Sequence, residues 1–294
     1  MSRFDPAAHR EASLQGWEAA APAWVARQEQ IRTWAAPVSQ WMVQSADPQP
    51  GEQVLELAAG VGETGLLAAE LIAPVGRAII SDQAEGMLEG ARRRAAELGI
   101  SNVDFKVLNA EWIDLPLASL DIVLCRWGYM LMADPLAALG ESRRVLRPGG
   151  RLALAIWDSI QVNPWALLPA LELSERHLGA GPTQPAAPPE PGAARQPGPF
   201  ALGDAEIVAG LLEQAGFTEV TLDTVDLVQH HSDFDAMWES QLDISRTLHD
   251  AVMSRPQAEI EEIRTALAAR LTDYTLPSGE LQLPGRTLVA RASA

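Results

Sequence analysis

The sequence predicts an α/β fold: a doubly wound, mostly parallel sheet with helices on both faces, plus a helical cap. Three observations predict it. Short apolar runs alternate with helix-length amphipathic segments from residue 53 to residue 157, the pattern of a parallel sheet covered on both sides. A glycine-rich turn joins the first apolar run to the first of those helices. The segments 1–48, 161–202 and 233–280 flank or interrupt the alternation with helical or proline-rich composition, as a cap would.

Taken in order, residues 11–46 read as helices, with breaks expected near Pro22 and Pro37 because proline ends a helix interior. "QVLELA" is a short strand and "ETGLLAAELIA" a helix that stops before Pro74. "GRAIIS" is the second strand, followed by a helix from about Ala84 to Leu98 with Gly99 as its terminating glycine. "VDFKVLN" and "LDIVLC" are strands three and four. Asp134-Pro135 offers an N-cap with proline at the first helical position, opening a helix through about Leu146. Pro148-Gly149-Gly150 then turns the chain into strand five, "RLALAIW". Each crossover should be right-handed. Residues 181–199 are too rich in proline for regular structure and read as a loop or tether. "DAEIVAGLLEQAG" is a helix, "TEVTLDTVDLVQ" a long strand, 233–273 helical and divided at Pro256, and "TLVARASA" a candidate last strand.

Composition narrows the function. Apolar residues make up 47% and charged residues 21% of 294, a globular balance. The net charge of −17 repels phosphate backbones, so nucleic acid is not expected as a partner. Arginine outnumbers the single Lys106 in an alanine- and proline-rich chain, which reads as bacterial codon usage. One cysteine, Cys125, permits no internal disulfide and suits a reducing compartment. No signal core opens the sequence and no run approaches the ~18 apolar residues of a membrane span, so a cytoplasmic protein is expected. No cysteine cluster supports a metal site.

The chemistry begins at "QVLELAAGVGETG". Gly60, Gly62 and Gly65 match the dinucleotide fingerprint G-x-G-x-x-G, and Asp82 follows the second strand where a carboxylate can accept both hydroxyls of a ribose. Three features separate a pyrophosphate cofactor from the alternatives. Glu56 ends the first strand and would repel one, yet suits a cofactor bearing an ammonium group. Asn109-Ala110-Glu111 follows strand three, where polar groups can read an adenine edge. The one lysine lies inside a strand, badly placed for hydride-transfer chemistry.

"VLELAAGVGETG", "SDQAEGMLEGAR", "NAEWIDLP", "DIVLCRWGYMLMADP" and "VLRPGGRLALAIW" stand in the order and spacing of the class I S-adenosylmethionine-dependent methyltransferases. The chain resembles most the quinone-biosynthesis type of small-molecule methyltransferase, over about residues 50–160 and again over 200–230. The resemblance implies a Rossmann-like sheet of seven strands with an antiparallel last strand. It implies S-adenosylmethionine as cofactor, with Glu56 and the backbone of Ala58, Ala59, Gly60, Val61 and Gly62 beside its methionine part. Asp82 would hold the ribose, with Gln83 and Met87 beside the adenine, and Asn109, Ala110 and Glu111 would read the adenine amino edge. Arg126 and Trp127 would line the passage to substrate. Two departures stand out: Ala58 replaces the first glycine of the family's loop, and Asn109 replaces an aspartate. The implied division is a lid at 1–48, the cofactor-binding core at 49–160, an insertion at 161–202, core at 203–232, a cap at 233–280 and a last strand at 281–294.

A sulfonium methyl is already activated, so alignment and exclusion of water supply most of the rate. A base is needed only for a protonated nucleophile. Tyr129, His177, His230 and His231 lie near the cap, but none is assigned as a catalytic base. Nine tryptophans are unusual. Trp17 and Trp24 can share a helix face, as can Trp34 and Trp41, either as core packing or as a lid over an apolar substrate. Trp17, Trp24, Tyr129, Trp157 and Trp165 are the substrate-pocket candidates. The expected activity is methyl transfer to oxygen or carbon of a small, largely apolar acceptor. The alternatives are a non-catalytic cofactor-binding partner or sensor, and an NAD-dependent oxidoreductase. Apolar helices outside the core could equally cover a pocket or form a homodimer contact.

Overall fold

The computed structural model describes residues 4–178 and 196–294. Two helices come first, α1 (Pro6–Ala26) and α2 (Gln28–Ala46). Asp5 caps α1, its Oδ1 accepting the Ala7 and Ala8 N–H groups at 2.9 and 3.2 Å, with Pro6 at the first helical position. Pro22 and Pro37 do not break these helices, contrary to the sequence reading; the joint is Arg27, at φ −96° and ψ 6°. Each proline releases the carbonyl four residues earlier. Pro22, Pro37 and the residues at those earlier positions, Glu18 and Thr33, are all exposed, so water can take the released carbonyls.

The sheet contains β1 (Gln53–Leu57), β2 (Arg77–Asp82), β3 (Val103–Val107), β4 (Leu120–Arg126), β5 (Leu146–Trp157), β6 (Thr218–His231) and β7 (Leu281–Ser293). Their spatial order is β3-β2-β1-β4-β5-β7-β6. The first five are parallel, and β7 lies antiparallel between β5 and β6. The segment "TLVARASA" therefore supplies the antiparallel last strand, but β7 starts earlier, at Leu281. β5 also starts earlier than read: Leu146 pairs with Leu120, and the register then shifts so that Arg151 pairs with Ile122. Pro148-Gly149-Gly150 is an irregularity within the strand, not its entrance.

Crossover helices α3 (Glu63–Ile72), α4 (Glu85–Leu98) and α5 (Pro135–Val145) cover the parallel part. The Asp134 cap forms as expected, accepting the Ala137 N–H at 3.0 Å, and Gly99 ends α4 in the left-handed region. The main core includes Val54, Ile80, Leu124, Leu154 and Val289, with Ile31, Val38 and Met42 of α2 packed against the sheet. Cys125 is fully buried in it.

Helices α6 (Pro164–Glu175), α7 (Ala205–Gln214), α8 (Phe234–Ile244), α9 (Arg246–Val252) and α10 (Gln257–Arg270) complete the described chain. Pairing of β5 with β7 stops at Trp157 opposite Thr287, whereas β6 and β7 stay paired out to His231 opposite Leu281. This two-stranded overhang carries a second core, in which Leu281 and Leu283 meet Leu173, Trp238, Val252 and Leu267. The cap is thus seated on an extension of the sheet. Within the stretch read as a tether, residues 181–195 lie outside the described residues. No helix among the described residues is long and apolar enough to cross a membrane.

Candidate active site

The turns at the carboxyl ends of β1 to β4 converge on one cavity, as the strand-to-helix junctions of an open α/β sheet do. It is lined by Ala58, Ala59 and Gly60 after β1, Asp82, Gln83 and Met87 after β2, Asn109, Ala110 and Glu111 after β3, and Arg126 and Trp127 after β4. Asp82 is buried and braces the glycine turn: its Oδ2 accepts the Gly60 N–H at 2.9 Å and its Oδ1 the Ala84 N–H at 2.9 Å. Burial raises its pKa against these hydrogen bonds. Asn109 accepts the Glu111 N–H at 2.9 Å, which closes the turn after β3.

Two of the residues expected at the cofactor lie elsewhere. Glu56 is buried and does not line the cavity; its Oε2 accepts the Gly65 N–H at 2.9 Å, fastening α3 to β1. Desolvation lifts its carboxyl to about 7, against the opposing field of Arg126 and the Gly65 hydrogen bond. Gly62 is also outside the lining, and its role is steric. Its φ is +86°, and a Cβ there would stand 2.8 Å from Ala91 Cβ of α4. Gly65 shows the same economy, since a Cβ would fall 2.5 Å from Glu56 Oε2.

Helix α1 closes the cavity and is latched to its rim. Arg10 pairs with Glu111 (Nε to Oε2, 2.9 Å), Gln83 Nε2 donates to Ser13 Oγ at 3.0 Å, and Glu18 accepts the Glu85 N–H at 2.7 Å at the start of α4. His9 Nε2 lies 3.0 Å from the Leu131 carbonyl. His9, Arg10 and Ser13 were not singled out from sequence. Arg10 and Glu111 are 101 residues apart and no local pattern joins them.

A second, larger cavity of about 500 Å³ adjoins the first. Six tryptophans line it: Trp17, Trp24, Trp34, Trp127, Trp157 and Trp165. Trp127 and Trp157 stack at 4.5 Å with their planes 7° apart, and Trp165 tilts against Trp157 at 4.7 Å. Trp17 meets Trp24 edge-on at 5.4 Å. Trp127 holds φ +58°, and its Nε1 donates to Thr287 Oγ1 at 3.2 Å, which fixes the ring across the sheet. Tyr129 must be withdrawn from the pocket candidates. It is fully buried in the core, its hydroxyl 2.7 Å from Ser142 Oγ of α5, and it lines neither cavity. A one-turn helix, Tyr129–Leu131, turns the ring inward. His230 is exposed and His231 buried, and neither lines either of these two cavities.

A family model described as "Methyltransferase domain" matches residues 48–176. The ubiquinone/menaquinone biosynthesis C-methyltransferase of Xanthomonas oryzae is 35% identical over 121 residues, 41% of this chain and 46% of that one. The nocamycin O-methyltransferase of Saccharothrix syringae is 31% identical over 191 residues, 63% of this chain and 65% of that one. Residues 48–176 thus make up a methyltransferase domain. The fold agrees: the YcgJ protein of Bacillus subtilis superposes with a TM-score of 0.55 at 15% identity, over 87% of this chain and 97% of that one. The chain spans about half the length of the first curated relatives it matches. The methyltransferase domain contributes every cofactor-cavity side chain named from sequence, whereas α1, α8 and the overhang of β6 lie outside the matched segment. Among the described residues, no cluster of three or more His, Cys, Asp or Glu side chains forms a metal site.

Proposed function

We propose that this protein is an S-adenosylmethionine-dependent methyltransferase that moves a methyl group to oxygen or carbon of a small, largely apolar acceptor by in-line displacement. The observation that carries the reading is the junction of the two cavities. Six residues, His9, Ser13, Trp17, Trp24, Trp127 and Leu131, line both, so a nucleoside cofactor in one would present its reacting end to the other.

The donor set suits that cofactor. Asp82 would offer its carboxylate to the ribose hydroxyls, Gln83 and Met87 would flank the adenine, and the Asn109–Glu111 turn would read its amino edge. The backbone of Ala58–Gly60 would lie beside the methionine part, with Glu56 acting at one remove by holding Gly65. When bound, the cofactor supplies a sulfonium methyl as electrophile. The chain aligns the acceptor, excludes water and presents aromatic faces that favour positive charge. His9 can take a proton from a hydroxyl acceptor. A carbonyl oxygen only accepts, so His9 Nε2 must carry the hydrogen shared with Leu131, leaving Nδ1 as the basic nitrogen. The lid (1–48) and cap (233–280) division, a cytoplasmic bacterial setting and a small-molecule partner belong to the same proposal, supported by the single cysteine and the −17 charge.

Calorimetric titration with S-adenosylmethionine, S-adenosylhomocysteine and NAD tests the cofactor. The first two should bind and NAD should not; binding of NAD alone overturns the reading. An acceptor screen follows. Methyl transfer to any small aromatic acceptor that is lost in the Asp82→Ala variant eliminates the non-catalytic alternative, and His9→Ala should slow transfer to hydroxyls selectively.

A further inference from the structure

The tryptophan-lined cavity has one polar corner. Gln229, on the β6 overhang, and Gln241, on α8, both line it and are each only 5% exposed. Gln241 Nε2 donates to Gln229 Oε1 at 3.3 Å. That bond leaves Gln229 Nε2 as a donor and Gln241 Oε1 as an acceptor, neither with another partner among the described residues. Neither atom is among the buried polar atoms sealed off without a hydrogen bond, such as Trp24 Nε1 and His231 Nε2. The free ends of both amides therefore retain access to the cavity. Exchanging the oxygen and nitrogen of both amides still leaves one donor and one acceptor.

Buried amides in this state need a hydrogen-bond partner; water can supply it while the cavity is open, and a molecule that displaces that water has to replace its bonds. The group that replaces it must both accept and donate, and an anion is disfavoured, since among the described residues that line the cavity there is no lysine or arginine. A hydroxyl fits. The walls specify the rest of the molecule, since six indole rings lining about 500 Å³ favour a planar aromatic ring system over a flexible chain. Gln229 and Gln241 line only this cavity, and not the cofactor cavity, so the hydroxyl they read is separate from the atom that is methylated.

We infer that the acceptor is a flat, fused-ring aromatic molecule carrying a neutral hydroxyl on the edge away from the reacting atom, and that Gln229 and Gln241 select it. This rests on the methyltransferase reading for the word acceptor, but the site itself can be tested without catalysis. The full chain, saturated with S-adenosylhomocysteine, is titrated with 2-hydroxyanthracene, 2-methoxyanthracene and anthracene, and binding is read from quenching of tryptophan fluorescence. The hydroxyl compound should bind about tenfold more tightly than the other two, the worth of one well-made hydrogen bond. Gln229→Leu and Gln241→Leu should abolish that preference and keep the affinity for anthracene within about threefold. Gln241→Met replaces a leucine variant that fails to fold, with retained S-adenosylhomocysteine binding as the check. Equal binding of the three compounds by the unmodified chain, no binding of any, or a preference that survives both substitutions overturns the inference. If S-adenosylhomocysteine itself does not bind, the methyltransferase reading falls while the three-compound comparison, run without it, still decides the cavity.

Discussion

The two cavities meet at α1 yet are built in different ways. The cofactor cavity is formed by turns after four adjacent parallel strands, so its residues come in short runs and its shape is set by backbone. The tryptophan-lined cavity is assembled from α1, α2, the turn after β4, β5, α6, the β6 overhang and α8, and its shape is set by large side chains. Backbone turns leave motifs, because glycine and a bracing carboxylate are needed at fixed offsets. Walls of side chains leave only composition. The substitutions expected to separate the two cavities follow from this contrast.

Trp157→Ala should have the largest effect on stability. The ring is 6% exposed and packs against Trp127, Trp165 and Trp34 at 4.5, 4.7 and 6.1 Å. Truncating a buried aromatic costs about 3–5 kcal/mol, measured as a shift of the urea midpoint. Binding of S-adenosylhomocysteine by the folded protein should stay within about threefold. A large loss of that binding would mean that the two cavities are one energetic unit and that the contrast is only geometric.

Asp82→Ala is the converse. It deletes the acceptor for the Gly60 and Ala84 N–H groups and the carboxylate offered to the ribose. Two hydrogen bonds to a charged group are worth about 3 kcal/mol together, so cofactor affinity should fall roughly 100-fold while anthracene binding persists. Calorimetry and fluorescence on one preparation decide the matter; parallel losses in both would sink the separation.

The pH dependence of stability sharpens the picture of what lies behind the cofactor turn. Glu56, lifted to about 7 by burial, holds its proton longer folded than unfolded. The folded state therefore binds more protons between about pH 4.5 and 7, and stability falls as pH rises through that window. His231 acts oppositely. Burial lowers it to about 4, so the unfolded chain binds more protons between about pH 4 and 6.5, and stability rises there. The unmodified chain should show a shallow profile where the windows overlap and a decline near pH 7. Glu56→Gln keeps an acceptor for the Gly65 N–H, unmasks the rise due to His231, and adds roughly 3 kcal/mol above pH 7 at 1.36 kcal/mol per pKa unit. Superimposable profiles of Tm against pH for the two proteins would contradict this.

What could be read from sequence divides along the same line. The Asp134 cap and the convergence of Asp82, Gln83, Met87 and Asn109 follow from local turn chemistry. Pro22 and Pro37 were misread because their effect depends on whether water reaches the released carbonyls, a tertiary fact. Tyr129 was misread because a single helical turn reversed the direction of its side chain. Gln229 shares a strand face with Val225 and Leu227, but its polar side chain gave no local signal of a ligand site; only the overhang beyond Trp157 opposite Thr287 brings it under α8. Glu56 was placed on the right strand but assigned to a ligand, when its partner is the Gly65 N–H nine residues on.

The smallest effect concerns the departure at Ala58. Its φ of +49° places an L-residue in the left-handed region, where the family's glycine would be unstrained. That conformation costs an alanine roughly 1–2 kcal/mol, while a glycine at the same position would lose about 0.5–1 kcal/mol more backbone entropy on folding. The Ala58 methyl also fills space facing Gly128: a Cβ added to Gly128 would lie 2.7 Å from it. These terms nearly cancel, so Ala58→Gly should raise Tm by no more than about 2 °C and change cofactor affinity less than threefold. A tenfold loss of affinity would show that the methyl holds the turn in its binding shape, and that side-chain packing shapes this cavity as it does the other. A gain of several degrees would show that the strain outweighs both the entropy and the contact, and that the alanine is retained for a reason other than stability.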